Sequence, residues 1–233
     1  MRTPLVIAHR GDSSRALENS LEAFRLALEI PADLIELDLR MTRDNELYVM
    51  HDRGTGRTAE QNIDLERSLS REVAEVRLRN GERVPRLDDA LRLASGRAGV
   101  NIEIKSAGAG SVLARRLKES WPQASLVVSS FHEAEVSAVR KELPGIPAAL
   151  IYDTFALRHV PGYADRGYPL ISLRKNTVTE HLIRAFHSRG IGVYVWTVDD
   201  EDVMRRLISW SVDGIYTNRP LVLKGMIEKI KGK

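Results

Sequence analysis

Two stretches, Leu34-Ile35-Glu36-Leu37-Asp38-Leu39 and Val100-Asn101-Ile102-Glu103-Ile104-Lys105, decide how this chain is read. In an extended strand successive side chains point to opposite faces. Glu36 and Asp38 therefore share one face while Ile35, Leu37 and Leu39 share the other. Asn101, Glu103 and Lys105 obey the same parity against Ile102 and Ile104. An apolar face of this kind packs on helices, which turns the carboxylates towards the opposite side of the sheet.

Working outward, short apolar runs recur along the chain: Leu5–Ala8, Leu47–Met50, Leu126–Val128, Ala148–Ile151, Leu170–Leu173, Val193–Val198 and Ile215–Tyr216. Amphipathic stretches separate most of them, at Ser20–Ile30, Leu87–Ala94, Ser111–Glu119, Glu133–Glu142, Thr179–Ser188 and Asp200–Ser209. Leu21, Phe24 and Leu28 show the helical spacing, with Asn19 or Ser20 as N-cap. Parallel strands need crossovers, so this alternation predicts an α/β fold with a parallel sheet, read here as one (β/α)8 (TIM) barrel domain over 1–233. Nine strand candidates are one too many for eight barrel positions, so one lies outside. Arg43-Asp44-Asn45 reads as a turn, making Leu39–Leu47 a hairpin or an extended crossover. Residues 53–86, polar and glycine-punctuated, form a small excursion after the third strand, and a solvated helix is expected at Lys224–Lys233.

Polar residues gather at or near the C-terminal ends of the apolar runs. Leu5–Ala8 leads into His9-Arg10-Gly11, Leu47–Met50 into His51-Asp52, and Leu126–Val128 through two serines into Phe131, while Val193–Val198 carries Trp196. In a (β/α)8 barrel those ends converge on the face that holds the active site. Converging Glu36, Asp38 and Glu103 would repel one another and take up protons unless a cation neutralised them. Oxygen ligands of this type suit a hard divalent ion, Mg²⁺ or Ca²⁺. The competing reading is an ion network in which Arg and Lys pair with these acids. Two imidazoles at one mouth suit proton traffic, one as base and one as acid, and Arg10 is a fork for phosphate oxygens. The alternatives are a histidine satisfied by backbone at the core rim and an Arg10 paired with Glu18 or Asp12.

Composition narrows the field. The chain has 233 residues, 43% hydrophobic and 29% charged, enough apolar content for a substantial core and unlike a disordered protein. A net charge of +3 is too small and scattered to argue for nucleic acid, yet is compatible with an anionic substrate. Without cysteine there is no disulfide, thiolate-ligated zinc or iron–sulfur cluster. The apolar run after Met1 is too short for a signal peptide or membrane span, which sets the expectation of a soluble, cytoplasmic protein.

The chain resembles the glycerophosphodiester phosphodiesterase family from residue 8 to about 220. His9-Arg10-Gly11 is similar to the family's opening HRG, and Glu18-Asn19-Ser20-Leu21-Glu22-Ala23-Phe24 to its ENTxxAF segment. Glu36-Leu37-Asp38 resembles its ExD, Thr42-Arg43-Asp44 with His51-Asp52 its TxDG…HD, and Glu103-Ile104-Lys105 its EIK. Val84–Leu91, Ser129-Ser130-Phe131, Trp196-Thr197-Val198 and Asp213–Pro220 match later landmarks. Ser20 stands for Thr, Asn45 for Gly, Arg86 and Asp88-Asp89 for Thr and Glu-Glu, and Asp199 where Asn is common. None of these removes a matched ligand or acid–base group, although Arg86 and Asp199 bear on substrate reach.

The resemblance implies that Glu36, Asp38 and Glu103 bind a divalent cation, Mg²⁺ or Ca²⁺, and that His9 and His51 are the acid–base pair. It assigns Arg10 and Lys105 to phosphate, with Glu18, Phe131 and Trp196 as further substrate contacts. The implied reaction is hydrolysis of a small glycerophosphodiester, through a cyclic phosphate, to glycerol phosphate and an alcohol. A lysophospholipase D on the same barrel and a phosphate-binding module with a decayed site are the alternatives. The first needs an apolar groove in residues 53–86, where apolar residues are few; the second needs a missing site residue, and all are present. A homodimer stays open.

Overall fold

The computed structural model describes residues 3–121 and 125–231. Its nine strands are β1 (Leu5–Ala8), β2 (Leu34–Met41), β3 (Leu47–Val49), β4 (Gly99–Ile104), β5 (Leu126–Ser130), β6 (Ala148–Tyr152), β7 (Leu170–Arg174), β8 (Gly192–Trp196) and β9 (Gly214–Thr217). They run in the order β1-β9-β8-β7-β6-β5-β4-β2-β3, and parallel pairing of β1 with β2 (Ile7 on Leu34, Ala8 on Ile35) closes eight of them into a barrel. The strand left outside is β3. It runs antiparallel to the end of β2, Leu39 against Val49 and Met41 against Leu47, so the short Leu39–Leu47 segment is a hairpin. Asn45, at φ 63°, takes the left-handed turn position.

The helices are α1 (Leu21–Glu29), α2 (Ser70–Val73), α3 (Leu87–Ala94), α4 (Ala109–Ser120), α5 (Glu133–Glu142), α6 (Val160–Ala164), α7 (Glu180–His187), α8 (Glu201–Ser209) and α9 (Pro220–Lys231). Ser20 caps α1, its Oγ accepting from the Ala23 amide at 3.1 Å, worth about 1 kcal/mol. The outward faces of the strands, including Ile35, Leu37, Leu39, Ile102 and Ile104, join Phe24, Leu28, Leu87 and Leu91 from the helices in one continuous core. Two short helices, α2 and α6, have too few residues to show a period. The terminal helix begins earlier than the lysines suggest, at Pro220, because Leu223 and Ile227 pack inward.

Inside the barrel, Ile7, Leu34, Val127, Tyr194 and Tyr216 form a separate cluster, with Leu34 and Val127 near the N-terminal ends of β2 and β5. Gly214 makes room for it: a Cβ there would lie 2.8 Å from the Tyr194 ring and 2.9 Å from Ile7. Along β2 the inward residues are Leu34, then Glu36, then Asp38, so one strand passes from apolar plug to charged mouth. The excursion after β3 holds its few apolar residues in a small core of its own, where Leu65, Val73, Val76, Leu78 and Val84 meet Tyr48 and Met50.

Candidate active site

The site begins at the turn after β1. Arg10 and Gly11 both have positive φ, 58° and 84°. A side chain at Gly11 would lie 2.6 Å from the backbone of Ala23, so the turn is pressed against α1 where no other residue fits. The left-handed bend aims the Arg10 amide at Glu36, whose Oε2 accepts at 2.8 Å. The Arg10 guanidinium lies against Asp38, Nε 3.0 Å from Oδ2, and donates to Glu18 at 2.8 Å.

Oxygens of Glu36, Asp38 and Glu103 lie within 4.8 Å of one another. Asp38, fully buried, is well supplied: its Oδ2 accepts from Asn19 at 2.8 Å and faces Arg10, and its Oδ1 faces Lys105 Nζ at 3.1 Å. Burial alone would raise its pKa, but Lys105 and Arg10 overrule it and hold the carboxyl far below the usual range. The other two acids behave oppositely. Burial first, then the charge of Asp38, pushes Glu36 up to about 8 and Glu103 up to about 7, although Lys105 also contacts Glu103. Glu36 Oε1 is buried with no hydrogen-bond partner. Arg10 and Lys105 do pair with the acids, as the ion-network reading expects, but two cations face three carboxyls, and two buried oxygens, Glu36 Oε1 and Asp38 Oδ1, have no hydrogen-bond partner, the second facing Lys105. A divalent cation would fit that residue of charge and those acceptors.

The two histidines flank the cluster. His9 Nδ1 is 2.7 Å from Asn218 Oδ1, and the Asn218 amide is oriented because its Nδ2 donates to Asp199 at 2.7 Å. An amide oxygen can only accept, so Nδ1 of His9 carries hydrogen and Nε2 keeps its lone pair. Burial, followed by the charge of Arg10, lowers its pKa. His51 Nδ1 is 2.6 Å from Asp52 Oδ1. Its pKa is also lowered, first by burial, but Asp38 and Asp52 pull upward.

A cavity of about 160 Å³ opens between these groups, lined by His9, Arg10, Glu36, His51, Glu103 and Lys105. Phe131 and Trp196 line it too, their rings edge to face with centroids 5.7 Å apart, and Lys105 Nζ stands 5.8 Å from the Phe131 ring centre. The sequence-nominated site residues line this cavity except two: Asp38, fully buried beside Glu36 and Glu103, and Glu18, which sits behind Arg10, held between it and Arg57 at 2.7–2.8 Å. Arg86 pairs with Glu46 at 3.2 Å outside the cavity lining, and Asp199 acts on Asn218. The sequence reading passed over Asn19, Asn218, Asp52 and Arg57 as individual contributors. The first three lie inside the quoted motifs, which was their only signal; Arg57 had none.

The sequence profile of the glycerophosphoryl diester phosphodiesterase family matches residues 9–222. The chain belongs to this family. It is 33% identical to a glycerophosphodiester phosphodiesterase of Caldanaerobacter subterraneus, over 97% of this chain and 98% of the relative. Among solved structures, a glycerophosphodiester phosphodiesterase from Agrobacterium tumefaciens superposes with a TM-score of 0.82 at 27% identity, over 96% of this chain and 100% of the other. A phosphodiesterase from Oleispira antarctica, solved with sn-glycerol-3-phosphate, reaches 0.90 at 22% identity over 97% of both chains and shows the same barrel. The enzyme is accordingly a phosphoric diester hydrolase. Among the described residues no helix is long and apolar enough to cross a membrane.

Proposed function

We propose that the enzyme hydrolyses small glycerophosphodiesters to sn-glycerol 3-phosphate and an alcohol, with Glu36, Asp38 and Glu103 holding Mg²⁺ or Ca²⁺ and His9 and His51 moving the protons. The observation that carries this reading is that Glu36, Glu103, His9 and His51 line one cavity with Arg10 and Lys105, while Asp38, buried beside them, completes a cluster of three carboxyls within 4.8 Å of one another. A bound divalent cation would polarise the phosphoryl group and ease ionisation of the attacking hydroxyl. Arg10 and Lys105 neutralise charge gathering on the phosphoryl oxygens. His9 offers an unprotonated Nε2 and is assigned as base. His51, whose Nδ1 hydrogen is held by the Asp52 carboxylate, is assigned as acid, since that contact favours its protonated form. Phe131 and Trp196 wall the glycerol side of the pocket.

The cavity and the excursion support a small substrate. A cavity of about 160 Å³ favours a small polar group such as glycerol phosphate over a bulky one, and the apolar residues of the excursion are occupied with one another rather than offered to an acyl chain. The test is steady-state hydrolysis of a panel of glycerophosphodiesters and lysophospholipids, with and without divalent metal. Glycerophosphocholine or glycerophosphoethanolamine should give the highest kcat/KM. A long-chain lysophospholipid outperforming both would reverse the assignment.

A further inference from the structure

Arg57, in the excursion and absent from the cavity lining, touches neither the acids nor the histidines, yet it connects to both arms of the site. Its Nε donates to Asp52 Oδ2 at 2.5 Å, and the other oxygen of Asp52 holds His51 Nδ1 at 2.6 Å. Its Nη1 and Nη2 donate to the two oxygens of Glu18 at 2.8 and 2.7 Å, and Glu18 in turn holds Arg10 Nη1 at 2.8 Å. One planar guanidinium thus spans two carboxylates, each of which grips a different functional group.

The turn that carries Arg57 is itself pinned. Thr55, fully buried, donates through Oγ1 to the Gln61 carbonyl at 2.6 Å and accepts from the Ile63 amide at 3.0 Å. The Gly56 amide donates to Asn62 Oδ1 at 3.1 Å, and the Arg79 amide to the Thr58 carbonyl at 2.9 Å. A fork presented from so fixed a turn holds its partners in one geometry, and a lysine at the same place would lack the planar fork.

We propose that Arg57 is a positioning residue through which the excursion aligns His51 and Arg10 together. The inference rests on the roles given to those two residues above. Asp52 carries the alignment of His51 and therefore kcat; Glu18 carries the alignment of Arg10, which both binds phosphate and meets the charge gathering on it, and therefore KM as well as kcat. Outer partners of this kind typically contribute a factor of roughly 10–100.

The experiment is steady-state kinetics on glycerophosphocholine at saturating metal, with melting temperatures measured in parallel. Arg57→Ala should lose roughly 10- to 100-fold in kcat/KM, shared between kcat and KM, with its melting temperature shifted by only a few degrees, since half-exposed ion pairs contribute little to stability. Asp52→Asn should act on kcat with KM nearly unchanged, whereas Glu18→Gln should change KM as well as kcat. Each should cost less in the Arg57→Ala background than in the wild type, because the pairs are coupled. Millimolar guanidinium should restore part of the activity of Arg57→Ala through the half-exposed site, whereas Arg57→Lys should stay impaired. Arg67→Ala, which removes an exposed partner of Asp64, is the unaffected control. Wild-type kcat and KM for Arg57→Ala, full additivity with Asp52→Asn and Glu18→Gln, or no guanidinium rescue would each overturn the proposal. His51→Ala separates the two layers: if it stays active the acid–base reading fails, and if it is dead while Arg57→Ala is normal only the positioning role fails.

Discussion

The two ends of the barrel lumen are built by the same strands to opposite rules. At the closed end Ile7, Leu34, Val127 and Tyr194 pack as an apolar plug, with Tyr216 joining it to the cavity lining, and what they need is volume. At the open end Glu36, Asp38 and Glu103 are almost as thoroughly enclosed, and what they need is charge. Only Asp38 obtains enough from the chain itself; Glu36 and Glu103 keep protons to pH values where an exposed carboxyl would have lost them. The same burial that stabilises the plug therefore destabilises the mouth, and that imbalance makes the mouth receptive to a cation.

The contrast breaks most sharply if the metal is dispensable. Rigorous chelation should abolish turnover, and Mg²⁺ or Ca²⁺ should restore it; full activity in metal-free enzyme would mean that Arg10 and Lys105 suffice. Next in size, His9→Ala and His51→Ala should each lower kcat by roughly 10²–10⁴-fold while leaving fold and metal affinity intact. A p-nitrophenyl diester, whose leaving group needs no proton, should rescue His51→Ala far more than His9→Ala. Rescue in the opposite sense would exchange the two assignments.

At the closed end the prediction inverts. Leu34→Ala should cost about 2–5 kcal/mol of stability through the cavity it leaves, with kcat of the folded enzyme nearly unchanged. Thermal unfolding and kinetics on one preparation decide it, and a matching loss of kcat would show that plug and mouth are mechanically coupled.

The smallest effect is in pH. Because the folded pKa values of Glu36 and Glu103, about 8 and about 7, lie above the ordinary 4.5, the unfolded chain holds fewer protons than the folded one between those limits. The contribution of these two carboxyls to the stability of the metal-free protein should therefore decline as pH rises from about 4.5 towards 8, opposed below about 6.5 by His9 and His51, whose lowered pKa values act in the other sense, and unopposed by them above it. Bound metal should reverse the trend, since ligation displaces those protons and affinity rises over the same window. Glu36→Gln should flatten the decline and lose metal affinity. A metal-free melting temperature that climbs between pH 6.5 and 8 would contradict the burial argument.

Much of this was legible beforehand. Six helical stretches were recognisable because each is long enough to show a period, and α3 and α5 begin and end where their apolar spacing does. The parity of Glu36 and Asp38 against Ile35 and Leu37 likewise needs no neighbour to interpret it. The excursion was harder, since its apolar residues are spaced without period and become a core only when Tyr48 and Met50 are laid beneath them. Glu18 shows the limit for a single residue: its pairing with Arg10 was among the alternatives the sequence offered, whereas its second partner, Arg57, had no signal there.

By itself, the sequence determined the alternation of strand and helix, the face on which each acid lies, and the family to which the chain belongs, because all three are written in spacings along one dimension. The tertiary structure alone decided which strand stays outside the barrel, which acid is matched by Arg10 and Lys105 and which keeps its proton, and that Arg57 reaches both Asp52 and Glu18. Those depend on distances between residues far apart in the chain, and on the burial that closure of the barrel imposes upon them.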